Sequence, residues 1–350
     1  MLEPVGARRL GNESFTGVLQ LEHAPSSGGA LVHYRTVKET PDNPASNRLP
    51  RGVNDQDMVD AVSRSGYPLQ VRVAAELADG FSIVEEWGYI DRDTKEPRSL
   101  DVHAYVSTVH DAASQYHPEL ILLIECKRSD LPFVFFQAAV PRIPREYPGL
   151  FGFRRNRFEL YKAGQGYRDA TASEFLSLRD LPFVSQGPPV SRAFAKAERG
   201  GKALDLSGEV PYRTVLMPLA SALHHWAGIR KVDGDQQRYF PSLTLMLCVL
   251  DAPMVVATGR ADNPELTLHP WIRVVRQESY QEHMWTSYRH YVVDFVHVSH
   301  LSTFIAQNVL PFAREVSARI EEAKPLLIDG RGAVNDWERW KWGDISPVPR

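Results

Sequence analysis

The feature that most constrains the fold is the apolar run in "LILLIECKRSD", residues 120–130. Five of its first six residues are aliphatic, which predicts a strand that is buried on both faces. Glu125 and Lys127 follow at once, with only Cys126 between them. Charges at the end of a buried strand cost free energy unless they are paired or bound to a metal, so this pair needs a physical explanation.

The segment before this strand contains a helix and a hairpin. Pro68 lies near the first turn of the helical segment "LQVRVAAELA", where proline is well tolerated. The segments "FSIVEEWGYI" and "RSLDVHAYVST" are typical of two strands, and "DRDTKEP" between them is typical of a turn. We therefore expect a helix and a hairpin ahead of the strand that ends in Glu125.

The second half of the chain adds a helix and more strands. "YRTVLMPLASALHHWAG" predicts a helix, "SLTLMLCVLD" a strand, and the remaining segments further strands and a C-terminal helix that Pro311 should kink or split. The order α-β-β-β-α-β predicts an α/β fold with a mixed sheet flanked by helices. We expect an N-terminal extension over 1–55, one domain over 56–330 with an irregular insertion over 131–211, and a Trp-rich tail over 331–350.

Composition indicates the cellular compartment of the chain but not its function. The 350 residues carry a net charge of −3 and include two cysteines. The first residues lack the apolar core of a signal peptide, and no run is long enough to span a membrane. We therefore expect a cytoplasmic protein with reduced thiols. The charge balance does not indicate a nucleic-acid binder, although a local basic groove would suffice for one.

Three residues of these strands form a candidate site. Side chains two residues apart in a strand point the same way, so Glu125 and Lys127 share one face and Cys126 points to the other. If the hairpin lies beside the third strand, Asp101 can lie next to Glu125. Two carboxylates suit Mg²⁺ or Mn²⁺, and a neighbouring lysine can orient a water and stabilise charge on a phosphate. This arrangement indicates phosphodiester hydrolysis.

The chain resembles a known nuclease superfamily over residues 67–136, and more loosely over 213–250. A helix, a hairpin strand with an Asp and a buried strand ending in Glu-x-Lys are similar to the PD-(D/E)xK superfamily, which has the restriction-endonuclease-like fold. The resemblance implies that Asp101 and Glu125 ligate metal and that Lys127 is catalytic. Leu100 replaces the proline of the motif. Gln70 stands where the family often has a helical Glu, and Glu76 is the alternative on that helix.

This resemblance implies a metal-dependent nuclease that uses Mg²⁺ or Mn²⁺. DNA is the expected substrate, with repair, restriction or phage defence as the setting. The alternative is a degenerate member of the superfamily that binds nucleic acid or a partner protein without cutting. A third interpretation makes Glu125 and Lys127 a plain ion pair at a strand end. A homodimer also stays open, because the sequence does not set the oligomeric state.

A basic stretch offers a candidate nucleic-acid surface. In "FGFRRNRFELYK", Arg154, Arg155 and Arg157 alternate with aromatic residues. Arginines bind phosphates and aromatic rings can stack on bases. The alternative is a solvated strand and turn whose aromatic residues are simply buried.

Overall fold

A computed structural model describes residues 37–348 except 109–115, 156, 233–238, 261, 283–284 and 337–340. Most of the predicted N-terminal extension, residues 1–36, lies outside the described residues, as do Trp337 and Trp340 of the Trp-rich tail. The chain divides into two units, Met1–Val59 and Asp60–Arg350. The sheet and both cores described below belong to the second unit.

The helices range from single turns to a long C-terminal helix. They are α1 (Asp55–Arg64), α2 (Tyr67–Leu77), α3 (Ala172–Phe175), α4 (Pro182–Ser185), α5 (Glu209–Pro211), α6 (Met217–Ile229), α7 (Leu301–Phe304) and α8 (Leu310–Asp329). Among the described residues, no helix is both long and apolar enough to cross a membrane.

The strands account for most of the regular structure in the described part of the chain. They are β1 (Ser82–Ile90), β2 (Pro97–Ser107), β3 (Glu119–Arg128), β4 (Phe133–Gln137), β5 (Gly149–Phe151), β6 (Phe158–Lys162), β7 (Gly166–Ala170), β8 (Val190–Gly200), β9 (Ala203–Ser207), β10 (Ser242–Asp251), β11 (Met254–Arg260), β12 (Asn263–Leu268), β13 (Trp271–Glu282), β14 (Trp285–His297) and β15 (Arg331–Ala333).

One large mixed sheet organises the second unit. Its order is β1-β2-β3-β10-β14-β13-β8-β4-β11-β12, with β5 paired to β10 and β9 to β8. Strands β1, β2 and β3 are antiparallel neighbours, whereas β10 runs parallel to both β3 and β14. A second sheet contains β15, β6 and β7. The mixed sheet with its flanking helices confirms the predicted α/β class.

The sheet has an apolar core on each face. Helices α2 and α8 supply side chains to one core, and α6 supplies side chains to the other. The β3 run is buried on both faces, as its unbroken apolar sequence predicts. Burial on both faces fixes the direction in which each following side chain points, including Glu125 and Lys127.

Proline positions shape two of the helices as expected. Pro68 lies in the first turn of α2, where the missing amide hydrogen has no helical acceptor to lose. A single π-helical turn over Ile305–Val309 separates α7 from α8, and Pro311 follows in the first turn of α8. The predicted interruption at Pro311 is therefore present.

The predicted irregular insertion contains strands that build the main sheet. Within residues 131–211, β4 pairs with β8 and with β11, and β8 also pairs with β13. The sequence does not reveal these strands, because β4 spans only five residues and β8, "VSRAFAKAERG", has no continuous apolar run. Their pairing partners lie far along the chain, so no local pattern marks them as sheet strands.

Candidate active site

The end of β3 places its charged residues and its cysteine on opposite faces. Cys126 continues the row of side chains that packs with α2, and the next row packs with α6. Glu125 and Lys127 continue that second row, because strand side chains alternate. The two rows are Leu120, Leu122 and Ile124 on the α2 side, and Ile121 and Leu123 on the α6 side.

Asp101 is fixed to β3 by a backbone hydrogen bond. The last residue pair between β2 and β3 is Val102 with Ile124. Beyond this pair, the Cys126 amide, two residues after Ile124, donates to Asp101 Oδ2 at 2.6 Å. At the point where the backbone pairing of β2 and β3 ends, the Asp101 carboxylate accepts the hydrogen bond in place of a backbone carbonyl. Asp101 is therefore held beside the Glu125–Lys127 segment.

Glu125 and Lys127 form a direct ion pair. The Lys127 ammonium donates to Glu125 Oε1, and the side chains are 28% and 8% exposed for Lys127 and Glu125 respectively. The lysine therefore reaches the surface while the carboxylate is enclosed. The structure brings Asp101, Glu125 and Lys127 together at one strand end.

Burial governs the protonation of these groups. Desolvation raises the pKa of Glu125 to about 7; Lys127 lowers it, whereas Asp101 raises it. Desolvation also raises the pKa of Asp101, against the hydrogen bond from Cys126. Burial lowers the pKa of Lys127, but attraction to Glu125 more than offsets this, and its pKa is raised. Carboxylates held this way would gain from a cation.

Glu86 is a third carboxylate near the site, and the sequence analysis missed it. The pairs Glu85–Val102 and Trp87–Leu100 flank it, so it lies across from Asp101 in the hairpin. Its φ is 49°, a left-handed conformation that is rare for a residue with a side chain. Ser99 Oγ donates to Glu86 Oε2 at 2.6 Å. Its charge raises the pKa of both Asp101 and Glu125.

Tyr89 adds a buried hydroxyl beside Glu125. The side chain is 2% exposed, and its hydroxyl has no hydrogen-bond partner among the described residues. Burial raises the pKa of Tyr89 to about 12, and the charge of Glu125 adds to this effect. A buried hydroxyl without a partner indicates a place for water or for a bound group.

The helix that precedes the hairpin presents an amide and no carboxylate to the core. Gln70 is buried on the face of α2 that packs against β2 and β3. Glu76 lies on a different face, and its carboxylate accepts a hydrogen bond from Ser302. Gln70 therefore faces the core on the side of the sheet to which Cys126 points, and the structure does not bring it together with Glu125 and Lys127 on the other side.

The residues present suit a divalent metal with few protein ligands. Among the described residues, no group of three or more His, Cys, Asp or Glu side chains is arranged to hold a metal. One oxygen of Asp101 is bound by Cys126 and one of Glu125 by Lys127, which leaves one oxygen of each. Mg²⁺ commonly uses one or two carboxylates and keeps several waters, so the residues fit this ion.

The predicted basic stretch lies elsewhere in the second unit. Phe153 and Phe158 are buried, so the aromatic side chains serve the core rather than a base-stacking surface. Arg155 and Arg157 are exposed and line a cavity near the end of α6, whereas Arg154 is half-buried and interacts with Tyr116. The two exposed arginines remain available to an anion.

Comparisons with known proteins find no match: no protein-family model, no curated protein and no solved structure is similar to this chain. The functional argument therefore depends on the site itself.

Proposed function

We propose that this protein is a metal-dependent nuclease that hydrolyses phosphodiester bonds, with DNA as its substrate. The observation that carries the proposal is the meeting of Asp101, Glu125 and Lys127 at one strand end, with Glu125 enclosed, Asp101 half-buried and the lysine reaching the surface. Enclosed charges of this kind are costly unless a cation and a phosphate offset them.

The order of elements supports a restriction-endonuclease-like core. Helix α2 packs against β1, β2 and β3, and α6 then leads to β10, which runs parallel to β3. This is the α-β-β-β-α-β order in which the nuclease superfamily carries its Asp and Glu-x-Lys residues. The order of elements is consistent with phosphodiester hydrolysis, and the proposal depends on the residues of the site.

Each residue has a distinct role in the proposed mechanism. Asp101 and Glu125 would hold Mg²⁺ or Mn²⁺, and such an ion would supply polarisation of a phosphate and a more acidic water. Lys127 presents a compact positive charge that orients the attacking water and stabilises the negative charge that develops on the phosphate. Tyr89 can hold a water next to Glu125, whereas Gln70 lies on α2, which packs on the Cys126 face of the sheet, and therefore has no role in the proposed mechanism.

A large groove supports an anionic polymer as the substrate. A cavity of about 1010 Å³ is lined by five arginines and only two carboxylates among the described residues. The arginines are Arg142, Arg145, Arg179, Arg192 and Arg276. Concentrated positive charge on a chain with a net charge of −3 favours a polyanion such as nucleic acid.

A plasmid-cleavage assay tests the proposal. We expect the wild-type protein to cut DNA with Mg²⁺ or Mn²⁺ and to lose this activity in EDTA, in Glu125→Gln and in Lys127→Ala. Arg128→Ala is the matched control, because Arg128 is the next cation on β3 and pairs with Asp251 instead. Cleavage that persists in Glu125→Gln would contradict the assignment.

A second candidate function is binding without cleavage. Gln70 favours it, because an amide in place of a carboxylate brings no charge to a metal. In that case the wild-type protein would bind DNA and leave it intact with either metal. Titration calorimetry with Mn²⁺ separates this outcome from a purely structural ion pair, which would bind neither metal nor DNA.

A further inference from the structure

A second cavity lies where α6 ends, away from the carboxylates of the candidate active site. Its volume is about 610 Å³, and residues from α6, β5, β10 and β14 line it. Volumes of this size are typical of small-molecule sites. Arg230, just after α6, binds Glu119 at the start of β3 at 2.5 Å. Glu119 and Glu125 lie at opposite ends of β3, about 20 Å apart along an extended strand.

The charged lining of this cavity is strongly basic. Its charged lining comprises four arginines and a lysine, with a single carboxylate among the described lining residues, namely Arg155, Arg157, Arg230, Arg289, Lys231 and Glu146. The carboxylate of Glu146 is already bound to His290 Nδ1 at 2.7 Å. Arg230 is paired with Glu119, so the excess positive charge comes from the other four cations, and it would stabilise a bound anion.

Contacts with the surroundings hold several of these cations in place. Arg230 lies over the Trp226 ring, 4.4 Å from its centroid. Arg289 Nη1 lies 3.4 Å from His224 Nδ1. The pKa of His224 is lowered by burial and then by Arg289, which is the effect expected of a positive local potential.

The cavity also has an apolar wall, and backbone approaches it closely. Phe151, Leu223, Met246 and Val292 line it. Gly152 also lines it, with φ at +80°, and a Cβ there would lie 2.2 Å from the Phe240 carbonyl oxygen. A lining that combines apolar and basic side chains suits a ligand with a flat ring system at one end and a phosphate at the other.

We propose that this cavity binds a nucleoside phosphate, with the phosphate against the arginines and the base against the apolar wall. The ligand is either a free nucleotide or the 5′-phosphorylated end of a nucleic-acid strand, which present the same chemistry. This inference does not depend on the proposed nuclease activity, because the cavity contains none of Asp101, Glu125 and Lys127.

Gly228 provides a direct steric test. It lies in α6 and lines the cavity, and a Cβ at this position meets nothing within 4 Å. A Gly228→Phe side chain can therefore enter the cavity without a backbone clash. Gly228→Ala is the matched control, because it adds a single carbon in open space and favours the helix.

The experiment is titration calorimetry without divalent metal, so that cleavage does not contribute. The probes are dAMP, a 5′-phosphorylated deoxyadenosine hexanucleotide, the same strand with a 5′-hydroxyl, and inorganic phosphate. We expect dAMP to bind the wild type and Gly228→Ala and to lose binding in Gly228→Phe. Arg155→Ala and Arg157→Ala should each weaken binding about tenfold or more, as for the loss of a charged hydrogen bond.

The four probes distinguish a free nucleotide from a strand end, and they also show when the proposal is wrong. If the phosphorylated strand binds more tightly than dAMP and the hydroxyl strand shows no binding, the cavity receives the ends of nucleic-acid strands. If dAMP binds and neither strand binds, the cavity receives free nucleotides. The absence of dAMP and phosphorylated-strand binding, or binding unchanged in Gly228→Phe, overturns the proposal. Should Gly228→Phe unfold, the arginine variants decide, with Arg72→Ala as their control, because Arg72 is an exposed residue of α2 outside the cavity.

Discussion

Glu125 and Lys127 differ from the fully buried ion pair of this protein. Arg273 and Asp294 are 0% and 1% exposed and are bound at 2.8 Å. Tyr147 and Trp271 also donate hydrogen bonds to Asp294. That pair is buried, and both carboxylate oxygens of Asp294 accept hydrogen bonds, as a structural ion pair requires. The Glu125–Lys127 pair is open on the lysine side, which suits a substrate.

The first prediction compares these two pairs. Lys127→Ala should abolish cleavage and lower the free energy of unfolding by about 1 kcal/mol or less, because Glu125 can take up a proton near neutral pH. Arg273→Ala should cost about 3–5 kcal/mol, since it leaves Asp294 buried and unpaired. Urea unfolding and cleavage are measured on both variants. A Lys127→Ala variant as unstable as Arg273→Ala would make the pair structural.

The second prediction concerns the pH dependence of stability without metal. The pKa of Glu125 is raised to about 7 from 4.5, so the folded protein binds this proton more tightly than the unfolded chain. Stability should therefore fall as pH rises from about 5 to 8, by up to about 3 kcal/mol. The raised pKa of Asp101 acts in the same direction.

Urea unfolding at several pH values in EDTA measures this effect, and Glu125→Gln should give a flatter profile than the wild type. Added Mg²⁺ should raise the unfolding midpoint more at pH 8 than at pH 6, because the ligands must be ionised to bind it. An identical profile for wild type and Glu125→Gln would show that Glu125 keeps an ordinary pKa.

At the scale of elements, the β1–β2 hairpin carries backbone strain at two residues. Glu86 and Lys95 have φ of 49° and 62° without being glycine. Lys95 lies in the turn, and its ammonium donates to the Arg92 carbonyl. Glu86 lies within β1, across from Asp101, where a regular strand residue would have a negative φ. Strain retained beside a candidate site is typical of a functional constraint.

The third prediction uses these two residues as a matched pair. Glycine adopts positive φ freely, so Glu86→Gly and Lys95→Gly should each keep or raise the free energy of unfolding, by up to about 1 kcal/mol. Only Glu86→Gly should reduce cleavage and Mn²⁺ affinity, because it removes a carboxylate near Asp101. Equal activity in the two variants would assign Glu86 to the geometry of the hairpin alone.

At the scale of the whole molecule, positive charge is gathered around two cavities while the chain as a whole is slightly acidic. The candidate active site contributes carboxylates at one end of β3, and the basic surfaces lie near β5, α6 and the β13–β14 hairpin. Neither cavity is lined by Asp101, Glu125 or Lys127, so the basic surfaces and the carboxylates are separate features of the second unit.

The fourth prediction concerns the salt dependence of DNA binding. Replacing Arg154, Arg155 and Arg157 by Ala should weaken binding and lower the log–log salt slope by about two units, because each phosphate contact contributes about 0.9. Two units rather than three are expected because Arg154 is half-buried near Tyr116. Fluorescence anisotropy over a salt series measures the slope, with Arg64→Ala/Arg72→Ala as the control. An unchanged slope would leave these arginines without a role in binding.

The sequence by itself determined the local elements and the faces of their side chains. The apolar run of β3, the turn between β1 and β2, and Pro68 at the start of α2 are encoded within short windows of the chain. The period of two in a strand also set Glu125 and Lys127 on one face and Cys126 on the other. These features depend on interactions between residues close together in the sequence, so they can be predicted from the sequence alone.

Only the tertiary structure decided which distant groups meet. It put Asp101 on the Cys126 amide, Glu86 and Tyr89 near Glu125, and the strands of residues 131–211 into the main sheet. It also divided the predicted basic stretch into buried aromatics and two arginines of a cavity. Contacts between residues far apart in the sequence depend on the free energy of the whole packed chain, to which many weak interactions contribute. No short sequence pattern encodes the total of these interactions.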